Sequence, residues 1–364
     1  MKKLSLSHLD DLAIGAAILG SGGGGDPAYP YMMAHHVMQE WGSVSLISPA
    51  ELKPDDFVVP IGVIGAPLAE IEKIESGREF NILFEILEKT VQKKITAIVP
   101  FEIGGGNAFT PFWIAPIVKL PVLDADTMGR AFPEAQMTSC GLLGASCSPC
   151  VITDCLGNTA VIYANNNLSL EKIGRQITIA MGSTACTALY PLTGTQAKKM
   201  TFHHSITRAI ALGKAHREAK QAGQDPLNAI LHASKGTLVG SGKITDIDRA
   251  ISKGFLKGSV VVQNKTDHIE ILFQNEFLLV KVNGQPVATT PDIISLIEME
   301  TGFPVTSESL QYGIKVNVIV LPSPALWTTP EGLALVGPRY FGYDMDYIPQ
   351  SKPKSSVDPV EVIA

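Results

Sequence analysis

The chain has 364 residues, 45% of them apolar and only 18% charged, with a formal net charge of −6. Lys and Arg are scattered, which leaves no electrostatic footprint for nucleic acid, and no stretch approaches the roughly 18 uninterrupted apolar residues of a membrane span. This length accommodates two domains, and so sparse a surface charge predicts a homo-oligomer whose subunits cover part of the apolar excess.

In chain order, the lead from Met1 to His8 has two lysines but no apolar run before Asp10 and Asp11, unlike a secretory signal. Five cysteines, an odd number, fit a reduced cytoplasmic interior better than a disulfide framework. Leu9, Leu12, Ala13, Ala16 and Leu19 recur at three- and four-residue spacing and predict a helix. Then comes Gly20-Ser21-Gly22-Gly23-Gly24-Gly25-Asp26-Pro27, five glycines in six positions before the acid. Such a run suits a close backbone approach or a ligand loop; a bare connector is the competing reading. Asp26 and Pro27 have the identities of an N-cap and a first helical residue, so a second helix is predicted toward Trp41. The glycine amides would then face an anion or a negative ligand edge. The run is not a dinucleotide fingerprint, which needs a preceding strand, nor a P-loop, which needs a following Lys-Ser or Lys-Thr. No nucleotide cofactor is expected.

Val44 to Ile47, Asp55 to Gly62, Ile95 to Pro100 and Pro121 to Asp124 read as strands, with helices over Glu79 to Lys93 and Phe109 to Lys119. The alternation predicts an α/β domain with a mostly parallel sheet flanked by helices. Gly62–Pro67, Glu102–Asn107 and Asp124–Arg130 fall at strand carboxyl ends, so these loops should converge on the edge where ligands bind in such sheets. Val151 to Tyr163 reads as a hairpin, and Ser169 to Met181, Ala197 to Gln221 and Pro226 to Ala233 as helices. Beyond Gly236, strands dominate: Gly258 to Gln263, His268 to Phe273, Glu276 to Val282 and Ile314 to Leu321, with a hairpin turn at Asn283-Gly284 and one helix over Pro291 to Glu300. The expected organisation is an α/β domain over residues 1–165 carrying the glycine-rich loops, a β-rich α+β domain over 166–350, and a flexible tail over 351–364.

Asp124 and Asp126 lie two apart after a buried strand, which aims both at one edge if the extended conformation persists. Such a pair can share a proton, hold a metal or act as acid and base; the structural alternative is a helix cap and an ion pair with Arg130. Glu102 stands beside Gly104, Gly105, Gly106 and Asn107, where a carboxylate could orient water while backbone amides stabilise negative charge. Arg130 could take a substrate carboxylate or pair with Glu134. Cys147-Ser148-Pro149-Cys150 lacks both a thioredoxin context and a second C-x-x-C. Neither His35-His36 nor His203-His204 has the i, i+4 spacing of a metal pair. Trp327, Tyr340, Phe341, Tyr343 and Tyr347 are expected to pack the second domain.

Leu19 through Pro27, Gly104 through Phe109 and Asp124 through Glu134 resemble the S-methyl thiohydantoin desulfurase-like family, whose members are found beside hydantoinase/oxoprolinase-type proteins. Phe273-Gln274-Asn275-Glu276, Pro291 to Ile294, Tyr312-Gly313 and Leu335 to Pro338 resemble its C-terminal half. The resemblance implies hydrolysis at a five-membered thiohydantoin ring with release of a methylthiol group, or a related hydantoin-like reaction, and a hydantoinase-type protein as a partner. The residues themselves suggest the roles. Asp124, Asp126 or Glu102 would activate water, and Gly22, Gly23, Gly24, Gly25, Asp26, Gly104, Gly105, Gly106, Asn107 and Arg130 would bind a small-molecule substrate. A divalent metal on the carboxylates is left open. The alternative function is a non-catalytic ligand-binding subunit of a hydantoinase-type complex.

Overall fold

The computed structural model describes residues 2–66, 69, 72, 73 and 76–350. The expected tail over 351–364, and Pro67 at the end of the first predicted loop, lie outside the described residues. The chain builds an α/β domain with a sheet flanked by helices and a β-rich second domain, as the strand and helix periodicities indicate.

The first sheet has nine strands. In spatial order these are Lys2–Leu4, Val44–Ile47, Val122–Leu123, Ala97–Pro100, Phe57–Gly65, Thr184–Ala188, Cys150–Thr153 and Thr159–Ile162, with Leu192–Thr193 paired to Phe57–Gly65. The run from Val44–Ile47 to Phe57–Gly65 is parallel, and antiparallel strands extend it on both sides. Side chains alternate between two cores, because successive residues of a strand point to opposite faces. Val59, Ile61, Ile98 and Val122 pack under the helices Leu9–Leu19, Ala28–Trp41, Glu79–Val91 and Thr110–Val118. Val58, Ala97, Val99 and Leu123 face the other way, toward Leu170 of the helix Asn167–Ala180. Burial on both faces is why these strands read as continuous apolar runs.

The helix Leu9–Leu19 lies along Ser205–Gln221 at unusually close range. A Cβ on Gly15 would fall 1.8 Å from the Ala209 carbonyl oxygen, and one on Gly213 would fall 1.8 Å from that of Asp11. Two glycines, one from each helix, are therefore what lets the backbones touch. The predicted helix over Ala197 to Gln221 is in fact two, Gly194–Met200 and Ser205–Gln221. Between them Phe202 and His203 pair with Asp126 and Ala125, and His204 takes a left-handed conformation.

The second sheet has eight antiparallel strands in the order Gln285–Thr289, Glu276–Val282, His268–Gln274, Phe255–Gln263, Thr237–Ser252, Lys315–Leu321, Ile293–Glu298 and Pro304–Val305. The helix expected over Pro291 to Glu300 is thus a strand: Ile293, Ile294 and Ile297 are β-branched and wholly buried on both sheet faces. Trp327 packs the first domain rather than the second. Its indole N–H donates to the Met128 carbonyl at 2.7 Å and its ring meets Phe132 edge-on. Tyr340 follows it, donating its hydroxyl to Glu134.

Candidate functional site

The three strand-end loops do converge, and hydrogen bonds between them specify how. The Asn107 carboxamide accepts from the Val63 amide at 2.7 Å and donates to Glu102 Oε1 at 2.7 Å, tying the second loop to the strand Phe57–Gly65, which runs on to Gly65 where the first loop is expected from Gly62. Asp126 Oδ2 accepts from the amides of Ile103 (3.1 Å), Met128 (3.0 Å) and Gly129 (2.6 Å), tying the second to the third. The glycine run lies against this junction: the Gly106 amide donates to the Gly25 carbonyl at 2.9 Å and that of Asn107 to Gly24 at 3.2 Å. Gly24, Gly25, Glu102 and Asn107 share a cavity of about 60 Å³, room for a few waters, whose apolar walls include Phe132 and Ile152. Gly104, Gly105 and Gly106 pack behind the run, where the amides of Gly106 and Asn107 hold backbone rather than face a ligand. Those of Gly24 and Gly25 make no hydrogen bond among the described residues.

The second domain completes the site. The Phe277 amide donates to the Ser21 carbonyl at 2.6 Å, and the Ser21 hydroxyl donates to Phe277 O at 3.2 Å while accepting from the Ile294 amide at 3.0 Å. Ser307 N donates to Gly22 O at 2.8 Å. The chain from Gly20 to Gly25 is therefore a seam between domains rather than a free loop. Glu276 fills the space that a side chain at position 23 would need: a Cβ on Gly23 would meet Glu276 Oε1 at 2.1 Å. Asp26 accepts from the Ala28 amide at 2.8 Å, as a capping acid does, although the helix begins one residue later than expected. Its second oxygen takes the Ser309 hydroxyl at 3.1 Å.

Glu102 and Glu276 both line the cavity and are both buried. Burial pushes the Glu102 carboxyl up to about 8, against the opposing pull of Asn107 and of the Phe132 amide, which donates to Oε2 at 3.2 Å. Glu276 is raised well above the usual carboxylate range, first by burial and then by the nearby Glu102, and its Oε2 has no hydrogen-bond partner. Asp126 rises to about 7 through burial, against the pull of its amide donors and of the nearby Ser205 hydroxyl. Arg130 is the counter-charge. Burial lowers it to about 10, while Glu276, Asp292 and Glu102 act to hold it charged. Carboxyls crowded around one guanidinium in a low dielectric cannot all ionise, so part of the cluster carries protons at neutral pH.

Arg130 does not pair with Glu134 or face the cavity. It donates to the carbonyls of Ala131 (2.8 Å), Pro291 (2.7 Å) and Asp292 (3.0 Å) and stacks on Phe132, because its side chain turns inward across the domain seam. Asp124 also points away. Its carboxylate takes the Thr207 amide at 3.0 Å, the Thr207 hydroxyl at 2.7 Å and His204 Nδ1 at 3.1 Å, making it a cap for Ser205–Gln221. All five cysteines are free; Cys150 lines the cavity, but burial raises its thiol to about 12. Among the described residues no group of three His, Cys, Asp or Glu is placed to hold a metal ion, and no helix is long and apolar enough to cross a membrane. Glu276 escaped the site prediction. Its only sequence signal was an acid after Asn275, in a stretch that bears on the family resemblance.

An α/β domain whose strand-end loops meet an antiparallel β domain across a carboxylate-lined cavity defines a two-domain class of protein. Residues 7–164 match the family model described as S-Me-THD-like, N-terminal domain, and residues 165–350 match S-Me-THD-like, C-terminal domain. The chain belongs to the S-Me-THD-like family. A crystal structure of a protein from Chromobacterium violaceum, a structural-genomics target, is similar in fold: TM-score 0.81 at 23% identity over 96% of this chain and 100% of that one. No curated protein matches the sequence.

Proposed function

We propose that the protein is a hydrolase acting on a small cyclic thioimidate or amide, with an S-methyl thiohydantoin-like ring as the substrate that the family points to. One observation carries this reading: two buried carboxyls, Glu102 and Glu276, line one cavity with Gly24 and Gly25, whose amides are unpaired; the cavity must widen beyond its about 60 Å³ to admit the ring. Acid–base catalysis favours groups that titrate near the working pH, and burial supplies that here.

Glu102, oriented by Asn107, takes a proton from water as the oxygen adds to the ring carbon bearing sulfur. Glu276, protonated, gives its proton to the ring nitrogen, while the Gly24 and Gly25 amides stabilise charge that develops on the ring. The C–S bond then breaks, Glu102 passes its proton to the departing methylthiolate, and Glu276 takes the hydroxyl proton as the new carbonyl forms. Methanethiol and a hydantoin result, with both carboxyls restored. Asp126 acts as a positioning residue by fixing Ile103, Met128 and Gly129, and Arg130 as the buried counter-charge. Asp124 has no step in this scheme.

The test is methanethiol release from S-methyl thiohydantoins by the wild type and by Glu102→Gln and Glu276→Gln. Loss in both variants with retained folding supports the scheme; full turnover in either removes that residue from it. Tight binding of the ring by wild type with no turnover under any condition favours the alternative of a non-catalytic subunit.

A further inference from the structure

The glycine run has a second face. Where Gly25 passes into Asp26 and Pro27, the chain borders a groove of about 760 Å³ on the outside of the domain seam, distinct from the enclosed cavity. That size is typical of small-molecule sites. Its walls come from the helix Leu9–Leu19, the start of Ala28–Trp41, the end of Ser205–Gln221 and the segment from residue 303 to 309. They are largely apolar, with Ile14, Ala17, Pro27, Tyr31, Phe303 and Pro304 exposed to the groove.

The polar groups of the groove divide by sign. Its acids already have partners within the protein: Asp10 accepts the Tyr31 hydroxyl at 2.7 Å, and Asp26 accepts from Ala28 and Ser309. Arg217 is held by both oxygens of Asp11, at 2.8 and 2.9 Å. The donors are less fully engaged. The Lys220 ammonium gives one bond, to the Thr301 carbonyl at 3.2 Å, and lies 5.0 Å from the centre of the Phe303 ring, leaving further N–H groups. His216 is only 1% exposed and lines the groove; neither ring nitrogen makes a hydrogen bond of full geometry, although the Thr301 and Gly302 backbone lies beside the ring. Unsatisfied buried polar groups are costly, and in native proteins they call for an explanation.

We infer that this groove binds a small organic carboxylate with an apolar body, its charge at Lys220, its body against Ile14, Phe303 and Pro304, and His216 at its polar edge. One cation with N–H groups to spare and a buried imidazole suit a monoanion. A phosphate would have to leave its hydration for largely apolar walls with the guanidinium already paired. The inference concerns binding and stands apart from the ring chemistry of the inner cavity.

Calorimetric titration of the full chain tests it with 3-phenylpropionate and 4-methylpentanoate, against 3-phenylpropan-1-ol and 3-phenylpropylamine as uncharged and cationic controls. The carboxylates should bind saturably, the alcohol and amine about tenfold or more weakly. Lys220→Met should weaken the carboxylates to the level of the alcohol, and Ile14→Trp, which fills the groove, should abolish binding of every probe, with melting temperature confirming that each variant folds. Equal affinity for alcohol and carboxylate, or carboxylate binding indifferent to Lys220→Met, overturns the inference. So does the absence of saturable binding by any probe, including the case in which sedimentation shows a dimer that covers the groove.

Discussion

Two sets of buried acids differ in how their oxygens are occupied. Asp11 and Asp124 lie at helix contacts; the first grips the Arg217 guanidinium, and the second takes an amide, a hydroxyl and an imidazole. Glu102 and Glu276 lie at the cavity, where Glu276 Oε2 is buried without a partner and both carboxyls are pushed upward. Asp11 faces a guanidinium and Asp124 takes three donors, whereas Glu102 takes only two neutral donors and Glu276 leaves Oε2 open; a carboxyl that must exchange protons needs a pKa near neutrality. The contrast assigns roles that position in the sequence does not, since Asp124 follows a parallel strand of the same sheet as Glu102 does and yet belongs to the other set.

The largest effect that would break or sharpen this contrast is catalytic. Glu102→Gln and Glu276→Gln should each lower methanethiol release by about 100-fold or more, with little loss in melting temperature because each removes a poorly compensated buried acid. A collapse in stability with turnover intact would place these acids in the structural set. Gly23→Ala comes next. Its Cβ would lie 2.1 Å from Glu276 Oε1, so displacement of that carboxylate should cost about 1–3 kcal/mol of stability and depress turnover along with it. Asp126→Ala strips the acceptor from three amides and should cost about 1–3 kcal/mol in denaturant unfolding.

The pH dependence of stability is a subtler discriminator. Glu102 titrates at about 8 in the folded protein against an ordinary 4.5, so the native state holds its proton more tightly than the unfolded chain. Its contribution to stability is full below pH 4.5 and is lost as the pH rises through about 8. Melting temperature should accordingly fall across that window in the wild type, and fall less in Glu102→Gln. The smallest effect belongs to Asp124→Ala, expected to lose about 1 kcal/mol of helix capping while leaving turnover unchanged.

Much of this arrangement was legible because it is local. Each strand-end loop is announced by a short apolar run followed by glycine or polar residues, and parallel topology alone brings such ends to one edge. Glu102 and Asn107 could be read that way. Glu276 could not, since its approach to Gly23 depends on how a second domain docks, which no periodicity records. The same limit explains Trp327, whose indole partner Met128 lies 199 residues away, and Arg130, whose inward turn is decided by carbonyls of Pro291 and Asp292. Pro291 to Glu300 departs from the expected helix for a different reason: Ile293, Ile294 and Ile297 fit a helical spacing as well as a doubly buried strand, and short apolar runs do not separate the two.

The clamp on Ser21 and Gly22 also bears on how the protein is made. Its donors, Phe277, Ile294 and Ser307, are more than 250 residues downstream of the loop they grip. On the ribosome, the first domain emerges with Glu102 and both glycine segments in place long before those groups are synthesised. A nascent chain stopped at Ala250 would hold one side of the cavity and lack Glu276, so the cavity closes only when translation is nearly finished.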